Sequence, residues 1–151
     1  MTDARDDNKR CVTTLFETCF NAGDLGLLDE LVSPEYVGPR GTRGPAGFRE
    51  IVVGLRTAFP DIHYTIEDIL ADGDKVAVRW TWSGTHQAAF RAFGATGKAV
   101  SNTGTGIFRL RAGTIVGAVL ETDRLGFLQQ VGAVPAAIAA VPPATVATAT
   151  P

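Results

Sequence analysis

The sequence predicts an α+β domain whose helices come first and whose antiparallel sheet follows. Two observations carry that expectation. Apolar residues recur at three- and four-residue spacing as far as Phe59, and at two-residue spacing from His63 to Thr122. A chain of 151 residues, 45% of them hydrophobic, has the size of one domain and enough apolar mass for a core.

The elements follow in order. From Asp7 to Asn21, the residues Cys11, Val12, Leu15, Phe16, Cys19 and Phe20 form one helical stripe, which Ala22-Gly23 stops. Asp24 caps a second, short helix carrying Leu25, Leu27, Leu28 and Leu31, and Ser33-Pro34 ends it. A loop rich in glycine and proline runs from Gly38 to Pro45. Pro45 suits the first turn of a third helix, with Phe48, Ile51, Val52, Leu55 and Phe59 on one face and Pro60 as its breaker. Strands are then expected at His63 to Leu70, at Val76 to Trp82 after the turn Asp72-Gly73-Asp74, at Val100 to Arg111 and at Thr114 to Thr122. Ala112-Gly113 makes the last hairpin, and Asp123 to Val131 a closing turn of helix. The domain is expected over residues 1–132. Residues 133–151, almost wholly Ala, Val, Pro and Thr, read as a disordered tail.

Composition narrows the function. The net charge is −2, and Arg40 and Arg43 stand apart among glycines, so no basic stripe points to nucleic acid. Cys11 and Cys19 sit about 12 Å apart along a helix axis, too far for a disulfide, and read as core residues in a reducing compartment. The charged N-terminal residues and the lack of a long apolar run predict neither signal peptide nor membrane span, hence a cytoplasmic protein. Two histidines without ligand spacing predict no metal site. There is no G-x-S-x-G, and Gly104 to Gly106 lie inside a strand rather than in a phosphate loop.

An ordered series of short motifs adds a resemblance. Phe59-Pro60-Asp61, Gly73-Asp74-Lys75-Val76 with Arg79, Gly84-Thr85-His86, Thr96-Gly97-Lys98, Ala112-Gly113-Thr114-Ile115 and Asp123-Arg124-Leu125-Gly126 with Gln130 and Gly132 follow one another as they do in the SnoaL-like polyketide cyclases. The resemblance implies the cone-shaped barrel of the nuclear transport factor 2-like superfamily. Three N-terminal helices would pack on a curved, mixed or antiparallel sheet of four to six strands. It also implies a homodimer, a pocket between sheet and helices, and ring closure without metal or cofactor. In the family the catalytic carboxylate falls three residues before the ending that starts here at Asp123. That position is Leu120.

Alternation then places Val116, Ala118 and Leu120 on the pocket wall and turns Ile115, Val119 and Glu121 away. On the preceding strand the inward set is Asn102, Gly104, Gly106 and Phe108, and the two glycines are expected to widen the cavity. His86 is the best-placed titratable group, either as an acid–base or hydrogen-bonding residue or as a rim histidine capping its strand. Asn102 and Asp123 complete the candidate catalytic set, Asp123 with helix capping as its alternative role. Tyr36 is expected near the mouth as a phenol donor. Trp80 and Trp82 offer large flat faces to an extended or conjugated ligand, and Phe16, Val52 and Phe59 complete the apolar lining.

The function expected is therefore a cofactor-independent cyclase for an apolar polyketide-like small molecule. With Leu120 in place of the acid, it would act by conformational preorganisation, as in a cycloaddition. The alternatives are a hydroxylase or isomerase using His86, and a non-catalytic ligand-binding dimer module.

Overall fold

The computed structural model describes residues 3–136. Helix α1 spans Ala4–Thr14, starting earlier than the apolar stripe because Asp3 caps it, accepting a hydrogen bond from the Arg5 N–H at 3.1 Å. It continues without a break into a π-helical stretch, Leu15–Asn21, whose wider turn ends where the Ala22 N–H donates to the Glu17 carbonyl (3.1 Å). The wide turn leaves Phe16 and Phe20 stacked with ring centroids 5.6 Å apart. Helix α2 is a single turn, Leu28–Leu31, and Asp24 serves instead to close the preceding bend through the Gly26 N–H.

Strand β1, Val32–Val37, occupies residues that the sequence assigns to the end of a helix and the start of a loop. Proline at position 34 is tolerated there because β1 is an edge strand. Helix α3 covers Gly44–Ala58, with Pro45 in its first turn. Strands β2 (His63–Asp72), β3 (Lys75–Thr85), β4 (Ala99–Arg111) and β5 (Thr114–Thr122) form an antiparallel meander, and β1 adds to β5 in parallel, giving the order β1-β5-β4-β3-β2. The sheet is thus mixed, five-stranded and open. Helix α4, Arg124–Gln130, closes one end with Asp123 as its N-cap.

The core lies between the inner face of the sheet and the helices. Strict alternation holds along β4, where Val100, Asn102, Gly104, Gly106, Phe108 and Leu110 are buried and their neighbours exposed. Register sets inward residues in rows across the strands: Tyr64–Trp82–Asn102, then Ile66–Trp80–Gly104–Thr122, then Ile69–Val78–Gly106–Leu120.

Strand β5 departs from its expected alternation. A bulge between the pairs Arg109↔Gly117 and Leu110↔Ile115 leaves Val116 without a partner. Ile115 therefore enters the core fully buried, while Val116 faces an outer groove with Glu35, Val37 and Arg109. The inward set is Ile115, Ala118 and Leu120, which removes Val116 from the wall. Glu121 pairs with Thr105 on the exposed face.

Cys11 and Cys19 are buried and unpaired, and burial pushes the Cys11 thiol up to about 11. No helix among the described residues is long and apolar enough to cross a membrane. The expectation for 133–151 falls mostly on residues outside those described; up to Ala136 the chain folds back on α4, with Ala133 N–H donating to the Leu128 carbonyl at 2.9 Å.

Candidate active site

A cavity of about 420 Å³ opens between the sheet and α3, within the range of small-molecule sites. Its floor is aromatic because four elements deliver rings to one place. The π-helical stretch brings Phe16 and Phe20, the inner faces of β2 and β3 bring Tyr64, Trp80 and Trp82, and β4 brings Phe108. Phe16 sits 5.4 Å from Trp80 and 5.6 Å from Tyr64, centroid to centroid. Phe48, Ile51 and Leu55 of α3 form the opposite wall, and Phe127 and Leu128 of α4 close the end. Phe90 and Phe93, from the connection between β3 and β4, complete it. Arg40, Arg91, Thr122 and Arg124 line the cavity while remaining exposed, so they mark its mouth.

Of the residues expected at the site, Phe16, Trp80, Trp82, Asn102 and Leu120 line this cavity. The others are placed elsewhere. Tyr36 is buried against Phe48 (5.4 Å), and its ring fills the space a side chain at position 38 would need. It is not part of the cavity wall, so it supplies no donor at the mouth, and burial pushes its phenol up to about 12. Val52 and Phe59 belong to the solid core. Ala118 packs against the core beside Phe108, its β4 partner. Asp123 is exposed and engaged in its cap, accepting from the Gly126 N–H at 2.8 Å.

Gly104 and Gly106 do not widen the cavity. A Cβ at Gly104 would lie 2.4 Å from the Trp80 ring, and one at Gly106 only 2.5 Å from a Leu120 methyl. The glycines make room for the indole to lie flat on the sheet, an aromatic covering a cross-strand glycine. They shape the floor by admitting Trp80.

His86 is fully buried outside the cavity wall. Its ring stacks on Phe59 (5.2 Å, 24°), and Nδ1 lies 3.1 Å from the Thr96 hydroxyl. Nε2 is buried with no hydrogen-bond partner. Its backbone pairs with Lys98 and Gly97, so the residue fastens the long β3–β4 connection to the sheet.

Polar groups on the wall are few. Asn102 accepts from the Thr103 N–H through Oδ1 (2.8 Å), which orients its amide, and Nδ2 has no protein partner among the described residues. Tyr64, one row position away across Trp82, is bonded through its backbone to Asn21 (2.9 and 2.7 Å). Burial raises its phenol well above the usual range, so it stays a neutral donor. The cavity wall includes no Asp, Glu or His among the described residues, nor do three His, Cys, Asp or Glu side chains gather anywhere there to hold a metal. Alternation in β3 and β4 made Trp80, Trp82 and Asn102 legible in the sequence. The lining from Phe90, Arg91 and Phe93 was not, although two phenylalanines in a connection between strands are an unusual thing to leave in a loop.

Comparison with known proteins agrees with this geometry. No curated protein gives a significant match to the sequence. Among solved structures, TsrD from Streptomyces laurentii is 28% identical, with TM-score 0.81 over 89% of this chain and 100% of that one. IdmH from Streptomyces antibioticus, described as a candidate polyketide cyclase, is 32% identical with TM-score 0.72, covering 83% of this chain and 98% of its own. AclR from Streptomyces galilaeus, described as a candidate hydroxylase, is 25% identical with TM-score 0.77, covering 87% and 85%. The family model for SnoaL-like polyketide cyclases matches residues 10–131, from α1 to the end of α4. The mixed sheet, the apolar cavity and all the helices but the first turns of α1 fall within that match, and the chain belongs to the SnoaL-like polyketide cyclase family.

Proposed function

We propose that this enzyme closes a ring in an apolar, polyketide-like substrate by holding the flexible chain folded in its cavity, in a step that moves no proton to or from a side chain. The observation that carries this reading is the composition of the wall: Leu120 stands where the resemblance places a carboxylate, and among the described residues no acid or histidine lines the cavity. A proton abstraction would need such a base within hydrogen-bond reach. A pericyclic closure needs the two reacting ends brought together, and orientation of this kind can lower a barrier by up to about 7–11 kcal/mol. The Asn102 amide and the Tyr64 phenol would polarise a carbonyl conjugated to the reacting double bond. No cofactor enters this scheme.

The test is deletion of the gene followed by analysis of the accumulated metabolite, then its conversion by the purified protein. An uncyclised precursor, turned over with kcat flat across the neutral pH range, supports the reading. A bell-shaped profile would point to general-base chemistry and overturn it.

The hydroxylase or isomerase alternative has one observation in its favour, the AclR likeness; against it stands the closed surroundings of His86. We further propose a homodimer formed through the outer sheet face, where Leu70, Ala77, Ile107 and Val119 make one apolar row. Sedimentation of Ile107→Lys as a monomer beside a dimeric parent supports it; a monomeric parent refutes it.

A further inference from the structure

Among the described residues, the lining at the mouth of the cavity carries three cations and no anion. Arg40 lies in the turn Pro39–Gly41, Arg91 in the β3–β4 connection, and Arg124 at the start of α4. All three border the cavity and are exposed there. Five other arginines of the chain, Arg5, Arg10, Arg49, Arg79 and Arg111, each have a carboxylate partner. The three at the mouth have none among the described residues; nor do Arg43, Arg56 and Arg109, but these lie away from the cavity, and Arg56 is taken up by the Phe20 and Asn21 carbonyls.

Their backbone shows that the placement is built. Arg40 and Arg91 have φ of 61° and 55°, a left-handed conformation that costs energy in residues with a Cβ. Tight turns hold both. The Gly38 N–H donates to the Thr42 carbonyl (2.9 Å) around Arg40, and Phe90 and Phe93 exchange two backbone hydrogen bonds (2.9 and 3.0 Å) around Arg91. The Arg91 guanidinium also lies over the Phe90 ring, 5.3 Å from its centroid. Partial burial, with the like charges of Arg40 and Arg124, holds Arg91 below the usual arginine range. Gathered cations without a counter-charge are relieved by an anion, and the planar guanidinium fork fits carboxylate and phosphate oxygens.

We infer that Arg40, Arg91 and Arg124 form an oxyanion-binding rim, and that the substrate is an apolar chain bearing one carboxylate or phosphate at the end that stays at the mouth. The inference rests on the cavity being the substrate site. It also gives the substrate a direction: the charged end is fixed at the opening and the apolar body lies over Trp80 and Phe16, where the ring closes.

Two fluorescent probes of similar shape test it on the full chain: anilinonaphthalene sulfonate and its uncharged parent, N-phenylnaphthylamine. In the triple variant Arg40→Gln, Arg91→Gln, Arg124→Gln, with native circular dichroism, the sulfonate should bind about ten- to hundredfold more weakly while the neutral probe binds as before. Added salt should weaken only the sulfonate. Equal loss of both probes, or no loss of the sulfonate, overturns the rim while leaving the cavity intact. Failure of the neutral probe to bind the parent protein overturns the cavity reading and the rim with it. Displacement of the neutral probe then names the oxyanion. Decanoate or decyl phosphate should act at about tenfold lower concentration than decanol, the more effective of the two identifying the group. Parity with decanol refutes the proposal.

Discussion

Trp82 separates two aromatic regions that use similar side chains for different ends. On one side Phe59 packs against Trp82 (5.0 Å), His86 (5.2 Å), Phe90 (5.6 Å) and Phe127 (6.3 Å); Phe59 and His86 are wholly buried there, behind the three rings that border the cavity. On the other, Phe16, Phe20, Tyr64 and Trp80 meet at similar distances, yet their free faces line a cavity. The difference lies in what covers the rings. In the sealed region the β3–β4 connection folds over them, tied down where the Gln87 N–H donates to the Ala58 carbonyl (2.9 Å) and His86 pairs with Lys98 and Gly97. In the open region α3 stands off from the sheet, and no side chain fills the gap. A polar residue in the first region can only serve the fold; one in the second can meet a ligand. His86 is in the first, Asn102 and Tyr64 in the second.

That contrast can be broken at several points, beginning with the largest effect. Phe59→Ala should cost about 3–5 kcal/mol of stability in urea denaturation, because every neighbour of that ring is fixed. Phe93→Ala, on a half-buried residue of the cavity lining, should cost clearly less and show instead in weaker binding of the neutral probe; equal costs would erase the distinction between the regions. Asn102→Ala should reduce kcat about tenfold, the value of one hydrogen bond to a reacting carbonyl, with the midpoint of unfolding little changed. Next comes His86→Phe, which keeps the stack on Phe59 and removes the buried, unpartnered Nε2. Stability should change by no more than about 1 kcal/mol and kcat should hold; a collapse of kcat in a folded variant would move the chemistry to the sealed side.

The smallest effect concerns Asp61, at the edge of the sealed region. Its carboxylate accepts from both the backbone N–H and the hydroxyl of Thr85 (2.7 Å each), and those bonds hold its pKa below the ordinary 3.8. A carboxylate lowered in the folded state stabilises it above the unfolded value, and the contribution fades as pH falls through the lowered one. Asp61→Asn should therefore lower Tm slightly at neutral pH, and the two melting curves should converge in strong acid. A difference that persists there would mean the ionised carboxylate is not what Thr85 needs.

The arginine rim shows how a sound local rule can miss a site. Arg40 is isolated by glycines in the chain, and isolation argues against a basic patch; in the fold it shares a mouth with Arg91 and Arg124. Gly104 and Gly106 teach the same lesson in reverse, since two missing side chains looked like space and are filled by Trp80 and Leu120.

What the sequence determined by itself is whatever repeats along it. Periodicity was enough for the helices α1 and α3, the meander β2 to β5, the inward faces of β3 and β4, and the cap at Asp123, because each depends on residues a few positions apart. The motif series was enough for the family. Tertiary structure alone decided the rest. Edge strand β1 forms because β5 offers it a parallel partner, despite Pro34. The bulge at Val116 exchanges Ile115 and Val116 between faces, since one unpaired residue reverses a two-residue period. The closure of His86 and the meeting of three arginines depend on where loops land, and a loop's position is set by distant hydrogen bonds and by left-handed turns that leave no periodic trace in the chain.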